Sequence, residues 1–236
     1  MKLLSLSTAE QGCSLALFDD GKLMGDAYWD DRTTHSKRLV PMIEETVIQR
    51  AGFALEDLDA YVAAKGPGSF TGLRIGISMV QGLAYAMDKP CGGISSLDGI
   101  AWRFSHVSHT PVCVMMDARR GEVYTAVYRF KGGCLVEKSV EQVCAPGRIL
   151  DQIPREPALF VGSGSKAYAG QIKALSGGDA DFSHPCQDAV SAAAMGRIVL
   201  ETDQFFEKKE NALLPTYIRK SDAEIQFAEK TSILTS

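Results

Sequence analysis

Residues able to hold a phosphate gather at two places in this chain. The first is the run Ala64-Lys65-Gly66-Pro67-Gly68-Ser69-Phe70-Thr71-Gly72-Leu73-Arg74-Ile75-Gly76. An apolar strand candidate, Tyr61 to Ala64, enters a Gly-Pro-Gly loop, and a helix candidate, Leu73 to Met87, follows. That order leaves the first helical N–H groups free, and such an end is a natural anion site. The Lys-Ser/Thr pair that completes a Walker phosphate loop is missing. A tight turn that lets the helix pack close to a sheet is the favoured reading. The second place is Asp117-Ala118-Arg119-Arg120-Gly121-Glu122. Its carboxylates and guanidinium groups could clamp a phosphate, but a charged turn between two strands, or a partner contact, is preferred. Metal chemistry finds no ligand set. His106 and His109 could share a helix face, yet no Cys, Asp or Glu is spaced to complete a site with them. The six cysteines form no C-x-x-C pair and read as reduced, mostly buried thiols.

The elements that must position these groups follow from periodicity. Residues 2–7 and 13–18 alternate apolar and polar, as half-buried strands do. Asp19-Asp20-Gly21 signals a hairpin turn, and a third strand covers Lys22 to Trp29. Thr33, Thr34 or Ser36 then caps a helix reaching Ala51, closed by Gly52. The helix from Leu73 to Met87 is apolar around nearly its whole circumference, and Ser78, Gly82 and Ala86 recur every four residues. It is too short to span a membrane. It must be covered by its own sheet and by something else, either the rest of a large domain or a second protein chain.

After Lys89-Pro90, a strand covers Cys91 to Ile94 and a helix Ser95 to Phe104. The polar joint His106–Pro111 is the best boundary, dividing the chain into 1–106 and 107–236. The second half repeats the order of the first. Strand candidates are Val112–Met116, Glu122–Phe130, Cys134–Val143 and Leu159–Val161. Helix candidates are Pro146–Gln152, Ser165–Leu175, and Ala189–Phe206 with Asp188 as its cap. The tail Leu213–Arg219 precedes a polar segment expected to fray. Two such halves imply an α/β layered fold with mixed sheets.

The 236 residues are 45% hydrophobic and 23% charged, with net charge −4. That balance disfavours tight nucleic-acid binding by the chain alone. Met1–Leu6 is too short for a signal-peptide core, so cytoplasmic residence is expected.

Three stretches resemble one family. Lys65–Gly76 is similar to the glycine loop of the bacterial tRNA threonylcarbamoyladenosine biosynthesis proteins TsaB, also called YeaZ. Asp117-Ala-Arg-Arg-Gly-Glu-Val-Tyr124 resembles the family's second-domain signature, and Leu214-Pro-Thr-Tyr-Ile-Arg219 its C-terminal motif. The resemblance implies an actin-like ATPase (ribonuclease H-like) fold of two related subdomains. Residues 1–106 would carry partner-binding helices, and the last helix of 107–236 would pack back on the first half. It also implies a non-catalytic role beside the paralogue TsaD and the ATPase TsaE. Those proteins transfer threonylcarbamoyl from threonylcarbamoyl-AMP to N6 of the adenosine 3′ of the anticodon, in tRNAs reading codons that begin with A.

Two departures bear on activity. TsaD proteins carry a His-x-x-x-His metal pair where this chain has Ser96 and Ile100, which cannot replace imidazoles. The superfamily's acidic residue at the end of the first strand is Ser7 here. By the same resemblance, Gly162, Ser163 and Gly164 form a loop that could approach an adenine nucleotide, bound weakly and at the interface with TsaD. No cofactor would be required. Leu39, Met42, Ile43, Ile75, Met79, Gly82 and Tyr85 are the candidate partner face. That face would bind TsaD or, in isolation, a second copy, with tRNA met only through the complex and no membrane involved. The competing readings are an ATP-dependent kinase or ATPase, against which Ser7 argues, and a metallopeptidase, against which Ser96 and Ile100 argue.

Overall fold

Three antiparallel strands open the chain: β1 (Lys2–Ser7), β2 (Cys13–Asp19) and β3 (Lys22–Trp29). The computed structural model describes residues 1–31, 33–153, 156–178 and 180–219. The segment expected to fray lies outside the described residues. At the first turn Asp20 and Gly21 both adopt positive φ, 45° and 79°, the geometry that a two-residue hairpin needs to match strand twist. β4 (Ala60–Gly66) and β5 (Cys91–Ser95) run parallel to β1, giving the order β3-β2-β1-β4-β5.

The first two strands are not half-buried as their alternation suggested. Both are covered on both faces. Successive side chains point to opposite sides of a strand. The register therefore puts Leu4, Leu6, Leu15 and Leu17 on one face. Leu3, Ser5, Ser7, Ser14, Ala16 and Phe18 share the other. Ser5, Ser7 and Ser14 are all buried. What reads as apolar against polar is large against small. The small face receives α6 (Ala192–Glu201), and Ser14 Oγ accepts the Ala192 N–H at 2.9 Å. The large face lies under α1 (His35–Ile43) and α2 (Phe70–Met87).

The second sheet repeats the pattern. β6 (Val112–Arg119), β7 (Glu122–Lys131) and β8 (Cys134–Lys138) are antiparallel, and β10 (Ala158–Val161) and β11 (Ala180–Phe182) run parallel to β6. Its order, β8-β7-β6-β10-β11, matches β3-β2-β1-β4-β5 element for element. The expected strand Cys134–Val143 is two pieces, since β9 (Gln142–Cys144) pairs separately with β7. β11 had no expectation, being three residues long among polar neighbours.

The helices need four corrections. α1 contains Pro41, which cannot donate a backbone hydrogen bond, and the chain rewinds as a π-helix over Glu44–Arg50 instead of continuing regularly to Ala51. α2 begins at Phe70 rather than Leu73, because Ser69 Oγ caps it by accepting the Gly72 N–H at 3.2 Å. The segment after β10 is two helices, α4 (Ser163–Ala167) and α5 (Ala169–Ser176). α6 is capped by Ser191, not Asp188, and ends at Glu201.

α3 (Ser96–Ala101) lies in the seam, touching β4 and β5 on one side and β6 and β7 on the other. One apolar cluster therefore runs from Leu3 and Phe18 through Leu97, Ile100 and Met195 to Val114 and Tyr128. Trp102 meets Phe130 edge-on across this seam, with ring centroids 5.4 Å apart. A polar pin sits beside it. Lys138 Nζ donates to Asp98 Oδ1 at 2.7 Å and to Glu141 Oε1 at 2.8 Å, and the Tyr128 hydroxyl donates to Asp98 at 2.7 Å.

The approach of α6 to β2 is set by Gly196, where a Cβ would overlap the Phe18 ring. Alanine is favoured over glycine in a helix by about 1 kcal/mol, whereas overpacking a core costs about 1–3 kcal/mol. The ring is buried and cannot step aside, so the second effect wins. Gly196→Ala is expected to lower stability by up to about 2 kcal/mol, read as a lower urea midpoint.

Candidate functional site

The two halves enclose a cleft of about 980 Å³. Its walls are the β1–β2 hairpin at Ala9–Gln11, the segment Thr33–His35, the β4–α2 loop at Pro67–Thr71, the end of β6 at Asp117–Arg119, Ser163, and the tail at Thr216–Arg219. All three sequence motifs meet at its mouth. The tail runs over the start of α2, where the Thr216 N–H donates to the Lys65 carbonyl at 2.7 Å. Tyr217 stacks on Phe70 at 4.6 Å, and its hydroxyl accepts from Arg74 Nε at 3.1 Å. Arg74 also lies over the Phe70 ring at 3.9 Å. Arg219 then crosses to the second half, donating to the Ala118 carbonyl at 2.8 Å and pairing with Glu122 at 3.4 Å. The tail is a strap between the halves. Gly66, at φ 117°, leaves room for the Thr216 carbonyl, which a side chain there would strike.

The cleft floor carries a group that the sequence reading missed, Glu10. Its carboxylate accepts the Ser163 hydroxyl at 2.6 Å and the Val190 N–H at 3.1 Å, so it ties the first half to the second. Burial pushes the Glu10 carboxyl above its ordinary range, the hydrogen bonds from Ser163 and Val190 pull it back, and Asp188 and Asp30 push it further up. Asp188, expected as a helix cap, is buried instead. Its Oδ1 accepts the Gly162 N–H at 2.9 Å and the Ser183 hydroxyl, and Lys166 lies 3.6 Å from Oδ2.

The predicted site residues separate under this geometry. Of the candidate nucleotide loop, Ser163 lines the cleft. Gly162 sits at φ 96° with Met115 packed against it, and Gly164 is buried where a Cβ would lie 2.8 Å from Val123 Cγ1. Gly164 is thus a packing residue as well as a member of the loop. Ser7 is buried and caps its own turn, its Oγ accepting the Ala9 N–H at 3.3 Å. Ser96 and Ile100 are fully buried in the seam. Asp117 and its neighbours form the charged turn preferred above, with Asp117 Oδ1 accepting the Arg119 N–H at 2.8 Å. His106 and His109 lie in the connection between the halves, not on a helix. All six cysteines are free thiols, but Cys134 and Cys186 are exposed rather than buried, Cys134 at the start of the edge strand β8 and Cys186 in a short 3-10 turn.

The proposed partner face needs a larger revision. Leu39, Met42 and Ile43 are buried within the chain itself, since the inner side of α1 supplies the cover for β2. They cannot form an outward surface. Ile75 and Met79 are half-buried, and Gly82 and Tyr85 are exposed, Tyr85 at 91%. The exposed large apolar residues here are Val40 on α1 and Ile48 on the π-helix that follows it. The tail covers the other flank of α2, where Gln81 donates to the Leu213 carbonyl at 3.0 Å.

Comparison with known proteins fits the convergence of the three motifs. The family model described as TsaD, tRNA N6-adenosine threonylcarbamoyltransferase, matches residues 31–227. The tRNA threonylcarbamoyladenosine biosynthesis protein TsaB of Haemophilus influenzae is 36% identical over 72% of this chain and 75% of its own length. The chain belongs to the TsaB family. The TsaB of Bacillus subtilis, 28% identical, extends the match to 97% of this chain and 99% of its own. The solved YeaZ structure from Pseudomonas aeruginosa superposes with a TM-score of 0.75 at 28% identity, over 92% of this chain and 99% of that one. The ethanolamine utilization protein EutJ from Carboxydothermus hydrogenoformans, at TM-score 0.50 and 10% identity, shares the fold alone. The fold is therefore the actin-like one, as the TsaB resemblance implied. Among the described residues of this TsaB family member, no helix is long and apolar enough to cross a membrane.

Glu10 gives this TsaB fold a pH signature. A carboxyl raised in the folded state binds its proton more tightly there than in the unfolded chain. The stability it confers is present below the ordinary carboxylate range and is lost as pH rises through the folded value. Glu10→Gln keeps an acceptor and lets the Ser163 hydroxyl rotate to accept from the new amide. The variant is expected to melt above the parent at pH 7.5. The gap should close as pH falls toward 4.5, the ordinary value for this group. Melting curves across that range by circular dichroism check it.

Proposed function

We propose that this chain is a non-catalytic subunit in tRNA threonylcarbamoyladenosine biosynthesis. In this reading it scaffolds and activates TsaD, with TsaE completing the assembly, for transfer of threonylcarbamoyl to the adenosine beside the anticodon. Membership of the TsaB family supports the pathway. The observation that carries the scaffold role is the outward side of α2. Ser78, Gly82 and Tyr85 are exposed there on successive turns, and a Cβ at Gly82 would meet nothing within 4 Å. A glycine on an open helix face, costing about 1 kcal/mol against alanine, is explained when a second helix approaches closely. Tyr85, Ile75 and Met79 supply the apolar body of the contact, with Val40 and Ile48 on the neighbouring helix. Apolar surface of this kind marks an interface more often than it occurs on a free monomer.

The same reading assigns this chain no catalytic residues, no resident metal and no required nucleotide. Ser96 and Ile100 offer no metal-binding nitrogen where TsaD has its histidines. Among the described residues, no three His, Cys, Asp or Glu are gathered closely enough to hold a metal ion. tRNA would be met only through the complex, and residence would be cytoplasmic. In isolation the α2 face would pair with a second copy, since a two-fold contact needs one self-complementary patch.

Gly82→Arg tests the face directly. Open space around Gly82 means the arginine fits the free chain without disturbing its fold. Burying its charge in a helix contact costs several kcal/mol, enough to weaken binding by more than about a hundredfold. The expected outcome is a folded monomer by sedimentation that no longer co-purifies with TsaD. A G82R chain that still dimerises and still binds TsaD would show that the contact lies elsewhere. Loss of threonylcarbamoyladenosine in tRNA from cells carrying only G82R checks the pathway.

A further inference from the structure

A nucleotide phosphate, placed where the actin-like fold brings the β1–β2 hairpin and the β10–α4 loop together, needs hydrogen-bond donors and freedom from nearby anions. In this chain three of the donors there are already engaged. The Gly162 N–H goes to Asp188 Oδ1 at 2.9 Å, and the Asp117 N–H to Ser163 Oγ at 3.1 Å. The Ser163 O–H goes to Glu10 Oε1 at 2.6 Å. The acceptors that hold two of these donors are carboxylates, one from each half of the molecule. Asp188 has Lys166 beside it at 3.6 Å. Asp188 and Asp30, of its own sign, push the Glu10 carboxyl further up. A phosphate entering here would displace the Ser163 bond and come to rest against the Glu10 carboxylate. The residues present do not fit the group.

We propose that Glu10 is a specificity-determining residue that makes this cleft refuse nucleoside polyphosphates, by occupying the Ser163 donor and setting a carboxylate at the phosphate position. Specificity against a ligand is achieved by placing a like charge and a spent donor where it would bind. Glu10 does both with one side chain. Ser7 only omits a favourable group, and an omission weakens a ligand without excluding it. Glu10 also lies on the hairpin after β1 rather than on the strand, so its exclusion of phosphate is independent of the Ser7 replacement. The inference goes beyond the scaffold role and does not depend on it.

The test is calorimetric titration of the full chain with MgADP, and separately with magnesium pyrophosphate, at pH 7.5. Wild type, Glu10→Gln and Glu10→Ala are compared, with circular dichroism to confirm folding. E10Q removes the charge in nearly the same shape and so keeps the fold, and E10A also clears the side chain from the cleft floor. Both variants are expected to bind at least about tenfold more tightly than wild type, with E10A the tighter. Ser163→Phe, added to E10A, is expected to abolish the gain by filling the cleft floor. If both variants and wild type bind equally, or none binds, Glu10 does not set the specificity. A gain that survives S163F lies at another site and overturns the assignment too.

Discussion

The rest of this structure depends on how closely two helices approach the sheets. α6 reaches the first sheet only because Ser5, Ser7, Ser14 and Ala16 line the face it covers and because Gly196 leaves the Phe18 ring in place. α3 enters the seam by a similar economy. A Cβ at Gly99 would lie 2.9 Å from Val190 and 3.0 Å from Met195. Close packing of this kind is highly sensitive to volume. It explains why serines occupy buried positions on β1 and β2. It also explains why the positions of Ser96 and Ile100 are held by the seam's packing.

Most of the architecture was legible because it is local. Strand alternation, the Asp-Gly turn, and the glycine loop before an apolar helix each act over a few residues, and the order repeated in the second half made the duplicated fold readable. Where the reading failed, the deciding partner was distant. Leu39, Met42 and Ile43 fit an outward apolar stripe as well as an inward one, because a helix pattern names a buried side without naming what buries it. Glu10 had no local signal at all. Its partners Ser163 and Val190 are 153 and 180 residues away. Asp188 looked like a helix cap since acids commonly cap helices, but the Gly162 N–H from another loop claimed it first. Pro41 was visible in the sequence and was passed over inside a run that otherwise suited a helix.

The three motifs that marked the family share one physical purpose. Phe70 and Arg74 come from the glycine loop and its helix, Glu122 from the second-half hairpin, and Tyr217 and Arg219 from the tail. Together they close a strap over the cleft mouth, while Glu10 and Ser163 close its floor. Sequence signatures of this sort record a joint between halves as readily as an active site.

The seam also contains its own optical probe. The chain has two tryptophans. Trp29 is half open to water with the Arg38 guanidinium over its ring at 5.2 Å, whereas Trp102 is partly enclosed against Phe130 of the opposite half. Their emission should differ in wavelength and in access to a soluble quencher. With Trp29 replaced by phenylalanine, the remaining fluorescence would report on one contact between the halves. Any loosening of the joint then becomes visible without a label.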